Sequence, residues 1–359
     1  MEHALIWLGI YLKLRNVFKF IKLFEENSDP EALLNVLEFK KEEVLTLAKR
    51  ELERAEKLRI TLLFRENFKD HSLGKINLAP VFLYVKGVLN LEVPLIAIIG
   101  SRKPSSYGKE VTKSFSKGFA ELEIGVVSGL ARGIDSIAHK TVVEAGGYTI
   151  AVLGSGLDVI YPSENKGLFE RILQTGGAVV TEFPLGTKPR KENFPMRNRI
   201  ISGLSQGIVV VEAAQKSGTL ITAKWALEQG KEVFAVPGSI YSPQSQGTHY
   251  LIKQGAIPVS SAEEVCEFLE LSDKKSRDSQ KNKIEEVPLS EEEKEVISLL
   301  SPYPQHIEEV IEKTEIPAFE LLAIITELEL KGIVETLPGK YIKLKKFFIK
   351  TIEKSFKSI

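Results

Sequence analysis

Two short stretches join glycine, a hydroxyl side chain and arginine in an order suited to anion binding. They are Gly100-Ser101-Arg102 and Ser128-Gly129-Leu130-Ala131-Arg132-Gly133-Ile134-Asp135. Each follows an apolar run that reads as a buried strand, Leu95 to Ile99 and Ile124 to Val127, and each leads into a helical pattern. At the carboxyl edge of a parallel sheet, such turns lie beside helix N-termini, where backbone N–H groups point outward and favour anions. Glycine lets the chain approach a phosphate closely, and arginine offers its oxygens a planar fork. Gly100, Ser101, Arg102, Ser128, Gly129 and Arg132 are therefore expected to build a phosphate-binding edge. The alternative for Arg102 is an ion pair that holds its turn, and for Ser101 a hydrogen bond within the turn.

A third stretch, Lys188 to Arg199, is the densest basic run in the middle of the chain: Lys188, Arg190, Lys191, Arg197 and Arg199 against the single acid Glu192. Phe194 sits inside it. Phosphate contacts together with an aromatic platform are what single-stranded nucleic acid requires. Lys188, Lys191, Phe194, Arg197, Asn198 and Arg199 are expected at such a surface, the bland alternative being a solvated loop with a core phenylalanine. On a helix beginning near Pro195, Arg197 and Arg199 point in different directions and need not touch one phosphate. Asn198 can bond a base edge or cap the helix. Lys216-Ser217-Gly218-Thr219 again lies between strand and helix, where hydroxyls cap and glycine admits an anion. Asp135 and His139, four apart, share one helix face. With no nucleophile identifiable beside them, the expectation is structural: Asp135 braces the Arg132 turn and His139 packs behind it.

These residues need a frame. Between about 80 and 270, apolar runs at Ile96–Ile99, Val126–Val127, Thr149–Leu153, Ala178–Thr181, Ile208–Val211, Val233–Val236 and Ile257–Val259 alternate with amphipathic stretches such as Lys109 to Leu122 and Leu220 to Gln229. Continuous apolar strands between helices predict a doubly wound, mainly parallel sheet of the α/β class, covered on both faces. Residues 1 to about 70 read as helical, with Asp29-Pro30 as a cap and first turn. Val81 to Val85 reads as a strand. The expected organisation is a helical domain over 1–75, the α/β domain over 76–271, a polar linker over 272–289, a small unit over 290–344 and a basic tail over 345–359. In the small unit, Ser290 and Glu293 form a capping box. Two further helices are expected at His306–Lys313 and Pro317–Lys331, with a hairpin from Ile333 to Leu344 turning at Pro338-Gly339, so the unit reads as a winged helix. Its third helix carries Glu320, Glu327 and Glu329, an acid bias that disfavours phosphate and favours a partner or regulatory role.

Bulk properties limit the remaining classes. The formal net charge of the 359 residues is zero, so a polyanion must be held by a local patch. The lone cysteine, Cys266, excludes an internal disulfide framework and any multi-cysteine metal site, and is expected to be buried and inert. A reduced, cytoplasmic setting fits. Lys13 and Arg15 interrupt the opening apolar run far short of the roughly 20 residues of a membrane span.

Taken in order, the motifs resemble one family. Ile98-Ile99-Gly100-Ser101-Arg102, Tyr107-Gly108, the run Ser128 to Asp135 with Ala138-His139, and Ala151 to Asp158 are joined by Tyr161-Pro162 and Thr181 to Pro184. Phe194 to Leu204, Val211-Glu212-Ala213, Lys216 to Thr219, Pro237-Gly238-Ser239 and Gly247-Thr248 complete the set. The pattern is similar to the DNA-processing protein A family (DprA, also called Smf), strongly over about 80 to 260. That resemblance implies an extended Rossmann-like domain, a front module like a sterile-alpha-motif or helix-hairpin-helix domain, and a homodimer. It also implies a non-catalytic protein, without cofactor or metal, that binds single-stranded DNA and loads the recombinase RecA during natural transformation or recombination. A competing reading is a nucleoside-monophosphate phosphoribohydrolase, since Ser217-Gly218-Thr219 resembles the phosphate loop of those enzymes. They carry a glutamate three residues after the threonine, where this chain has Thr222. A nicotinamide-dependent dehydrogenase is disfavoured, because no Gly-x-Gly-x-x-Gly follows the strand ending at Ile99.

Overall fold

The computed structural model describes residues 2–271, 290–300, 305–314, 316–331, 333–337 and 339–344. The chain forms two compact units, Met1–Ser272 and Asp273–Ile359. The expected linker 272–289, the tail 345–359 and Pro338 of the hairpin turn lie outside the described residues.

The first unit opens with helices α1 (Glu2–Leu14), α2 (Val17–Glu26), α3 (Pro30–Val36) and α4 (Lys41–Lys57). Asp29 caps α3 and Pro30 occupies its first turn. Then follow β1 (Thr61–Phe64), α5 (Ser72–Lys75), β2 (Phe82–Gly87), β3 (Leu95–Ile99), α6 (Ser106–Glu121), β4 (Gly125–Ser128), α7 (Ile134–Glu144) and β5 (Thr149–Val152). The unit continues with α8 (Lys166–Gln174), β6 (Ala178–Thr181), α9 (Asn193–Leu204), β7 (Gly207–Val210), α10 (Thr219–Glu228), β8 (Glu232–Ala235), α11 (Gln246–Lys253), β9 (Ile257–Pro258) and α12 (Ala262–Phe268).

The nine strands make one sheet in the order β1-β2-β6-β5-β4-β3-β7-β8-β9. From β6 to β9 all pairings are parallel; β1–β2 and β2–β6 are antiparallel. Alternation of side chains across the pleat separates two cores. Ala97, Ile99, Val152 and Val210 face Ile200, Leu204 and Ala223 of α9 and α10. Ile96, Ile98 and Val126 face Phe115, Phe119 and Val142 of α6 and α7. Strand order reverses between β3 and β7, the topological switch point where ligands of open α/β sheets bind.

The front of the chain differs from the all-helical expectation. Thr61–Phe64 is a strand that pairs with β2 and lengthens the sheet. The four front helices pack on this edge through an aromatic cluster in which Trp7, Tyr11, Phe20, Phe24, Phe64 and Phe82 touch. The hydroxyl of Tyr11 donates to the carbonyl of Glu182, 2.9 Å away, just past β6.

In the second unit, helices Glu291–Leu299, Ile307–Ile311 and Ala318–Leu330 pack with strands Gln305–His306, Val334–Leu337 and Tyr341–Leu344, which form an antiparallel sheet. Ser290 and Glu293 close the capping box, each side chain accepting from the other's backbone N–H.

Candidate nucleic-acid interface

At the switch point the first turn leaves β3 and enters α6. Ser105 caps α6, accepting from Gly108 N at 3.1 Å. The buried carboxylate of Glu212, just past β7, accepts from Ser105 N at 2.9 Å and from its hydroxyl. A Cβ on Gly108 would lie 2.3 Å from that carboxylate. The α6 N-terminus thus already holds an internal anion. Gly100 is likewise used for packing, since a Cβ there would meet Ile134 at 2.7 Å. What this turn presents outward is Arg102 and Lys103, both exposed. Ser101 Oγ accepts from Lys103 N at 3.1 Å and donates to Gln244 at 3.5 Å.

The second turn is also built from internal bonds. Ser128 is buried and donates to Ile98 O at 2.7 Å, tying β4 to β3. Asp135 Oδ2 accepts from Gly129 N at 3.2 Å and Ala131 N at 3.4 Å. Burial raises the Asp135 carboxyl above its ordinary value, and the nearby Arg197 guanidinium opposes that shift. Arg132 is exposed and pairs with Glu164. Gly133 has φ +79°, and a Cβ there would lie 2.3 Å from Ser101 O, so the two turns touch. His139 is fully buried. Thr149 donates its hydroxyl hydrogen to Val126 O at 2.7 Å, and His139 Nδ1 is hydrogen-bonded to Thr149 Oγ1 at 2.7 Å. Burial pushes the imidazole down to about 3, which keeps it neutral.

Arg197 and Arg199 do not reach the surface, contrary to the expectation that they meet phosphate. Arg197 is 4% exposed; its Nη1 donates to Gly129 O at 2.6 Å and to Val152 O, joining the ends of β4 and β5. Gly129 is needed for this approach, because a Cβ would lie 2.5 Å from the guanidinium. Burial lowers Arg197 to about 10, still cationic at neutral pH. Arg199 has no exposed surface and pairs with the buried Glu182, whose carboxyl is raised by burial and lowered by Arg199. The reason is the helix period. α9 crosses the sheet with Arg197, Ile200, Ile201 and Leu204 turned inward, and Arg199 turned toward the end of β6. Half-buried Asn198 accepts from Arg197 Nε at 3.1 Å.

The residues that do gather at the strand ends are Arg102, Phe194 and Tyr161. The Arg102 guanidinium carbon lies 5.5 Å from the Phe194 ring centroid, and the Tyr161 ring centroid lies 5.8 Å from it. Phe194 is half-buried against Gly154, while Tyr161 is 44% exposed. Asn193 anchors this start of α9, donating to Gly154 O at 2.9 Å and Lys188 O at 3.4 Å. The preceding loop exposes Lys188, Arg190 and Lys191, none of which has an ion-pair partner among the described residues. Tyr161 and Lys103 were not anticipated as site residues. Tyr161 stood in the sequence as part of the family-like Tyr161-Pro162 pair, with no binding role attached.

Lys216 is exposed on the turn between β7 and α10. Ser217 donates to Thr219 Oγ1 at 2.9 Å and accepts from Thr219 N at 3.2 Å, and a Cβ on Gly218 would meet nothing within 4 Å. Among the described residues, no hydrogen bond or ring contact joins this turn to the Arg102–Phe194 group. Cys266 is buried. The described residues contain no group of three His, Cys, Asp or Glu able to hold a metal ion, and no helix long and apolar enough to cross a membrane.

A family model described as DNA recombination-mediator protein A matches residues 61–270. The chain belongs to that family. A second model, the DprA winged helix domain, matches 283–340. Protein Smf of Escherichia coli (strain K12) is 42% identical over 271 residues, spanning 74% of this chain and 72% of its own length. DNA processing protein DprA of Streptococcus pneumoniae (strain ATCC BAA-255 / R6) is 46% identical over 194 residues, 54% of this chain and 68% of that protein. The X-ray structure of the Streptococcus pneumoniae protein superposes with a TM-score of 0.58 at 34% identity, covering 74% of this chain and 92% of that one. The family match thus spans the nine-stranded sheet that carries the Arg102–Phe194 group.

Proposed function

We propose that this protein is a non-catalytic binder of single-stranded DNA that loads a RecA-type recombinase onto incoming DNA, acting as a homodimer. One observation carries the DNA-binding part: Arg102, Phe194 and Tyr161 meet next to a loop of three exposed cations that have no ion-pair partner among the described residues. Cations seat the flexible backbone without reading sequence, and the rings offer faces on which bases stack. Kinship with a DNA processing protein and membership of a recombination-mediator family support a role in recombination, of which recombinase loading is the step proposed. The absence of catalysis is supported by the internal duties of the polar residues near the site. Asp135 and His139 are buried and committed to turns and strands, and Thr222 stands buried where a hydrolytic glutamate would be needed.

The test is binding of a fluorescent oligonucleotide across a salt series. The parent should show a steep salt dependence with little preference for sequence. Arg102→Ala should weaken all sequences alike and reduce the slope of log K against log salt by about one contact, roughly 0.7 for a single strand. Unchanged binding in Arg102→Ala and in a Lys188→Ala, Lys191→Ala double variant overturns the reading. Recombinase loading is read as faster nucleation on strand precoated with single-strand-binding protein, and the dimer as mass in solution. Release of adenine from AMP would instead revive the hydrolase.

A further inference from the structure

The basic loop 188–192 begins at a turn, Pro184 to Thr187, whose conformation is imposed from elsewhere. Thr187 N donates to Pro184 O at 3.1 Å, and Gly156 N donates to Thr187 O at 2.9 Å. Two carboxylates grip the turn's own N–H groups. Glu51 Oε1, on α4 of the helical front, accepts from Leu185 N at 2.8 Å, and Asp158 Oδ1 accepts from Gly186 N at 2.7 Å. Arg54, one turn further along α4, links the two acids: its guanidinium is 3.4 Å from Glu51 and 3.3 Å from Asp158. Glu51 is itself fixed by Tyr84 of β2, whose hydroxyl donates to it at 3.0 Å. Gly186 adopts φ +82°, a conformation that needs outside support to persist as the single state of an exposed turn.

We infer that Glu51 and Arg54, acting with Asp158, are positioning residues for DNA binding: they hold the turn that launches Lys188, Arg190 and Lys191, so the helical front sets the strength of the grip without touching the strand. The inference rests on the single-strand reading above. It follows from where the hydrogen bonds go. The far end of the loop is tied to the sheet by Asn193, the near end by the two carboxylates. With both ends held, the three cations are presented next to Phe194 at little cost in ordering on binding. With the near end released, the same charges remain but must be ordered by the ligand.

The experiment titrates labelled oligothymidylate into the full chain and into Arg54→Met, Asp158→Ala, their combination and Arg102→Ala, each over a salt series. Arg54→Met and Asp158→Ala are each expected to weaken binding at fixed salt by about threefold to tenfold, the scale of one ordinary hydrogen bond lost at a partly exposed site. The double variant should be no weaker than the weaker single variant, because both act through one ion pair. The salt slope should stay at the parent value, since no phosphate contact is removed, and Arg54→Lys should recover part of the loss. Asp158→Ala is the sharpest arm: it deletes a negative charge beside three cations, so electrostatics alone would tighten binding. Binding by Asp158→Ala as tight as the parent or tighter overturns the inference. So does a fall in the slope for Arg54→Met like that of Arg102→Ala, which would make Arg54 a phosphate contact. If Asp158→Ala does not fold, the Arg54 variants carry the same decision. A loss confined to Arg102→Ala sinks only the positioning role; no loss in any variant sinks the single-strand reading with it.

Discussion

Among the arginines of this molecule, position decides duty. Arg102 stands free over the Phe194 ring, Arg132 is paired at the surface, and Arg197 and Arg199 are internal struts. Stacking of a base on an aromatic ring contributes about 1–3 kcal/mol, so Phe194→Ala, at a half-buried ring, should weaken oligonucleotide binding by up to that amount while leaving the salt slope intact, as read by anisotropy titration. His139 gives a different kind of expectation. The unfolded chain takes up a proton on this ring near pH 6.5, whereas the folded protein holds it neutral down to about 3. Between those values the unfolded state binds more protons, so stability falls as pH falls, by about 1.4 kcal/mol per pH unit from this group. Urea unfolding at several pH values should show that slope in the parent and its loss in His139→Gln.

At the level of elements, the strand ends are fastened to each other from within. Arg197 joins β4 to β5, Ser128 joins β4 to β3, and Arg199 fastens α9 to the end of β6. Removing one partner of a buried ion pair leaves the other uncompensated, so Arg199→Met should lower stability by about 3–5 kcal/mol. Oligonucleotide affinity per folded molecule should be unchanged, which calorimetry and titration of the same sample can separate. This is also where the sequence was least legible. The basic run Lys188 to Arg199 looks continuous in the chain, yet the helix starting at Asn193 turns its last two arginines inward. Nothing local announces this, because the acid that receives Arg199 is Glu182, in a different element. The strands, by contrast, were plain in their apolar runs, since strands buried on both faces carry no polar alternation to misread. Thr61–Phe64 escaped because an edge strand of four residues behind a long charged helix has too few positions to show a period.

For the whole molecule, a net charge of zero means that affinity for a polyanion has to come from a local patch, and the cluster at the strand ends is one. The exposed side of helix Ala318–Leu330 carries Glu320 and Glu327 together with Phe319 and Leu322, a poor match for phosphate. A fragment of residues 1–271 should therefore bind single strands with the affinity and salt slope of the full chain, measured by the same titration. The fragment has to start at the front, and the reason lies in the β1–β2 pairing. A chain trimmed to begin near residue 76 would strip β1 and the four helices from β2, baring one row of its N–H and C=O groups along with Phe82 and the Tyr11 contact to Glu182. Such an uncapped border recruits strands from other molecules, so the trimmed protein would precipitate or form ladders, and its failure to bind DNA would say nothing about the site.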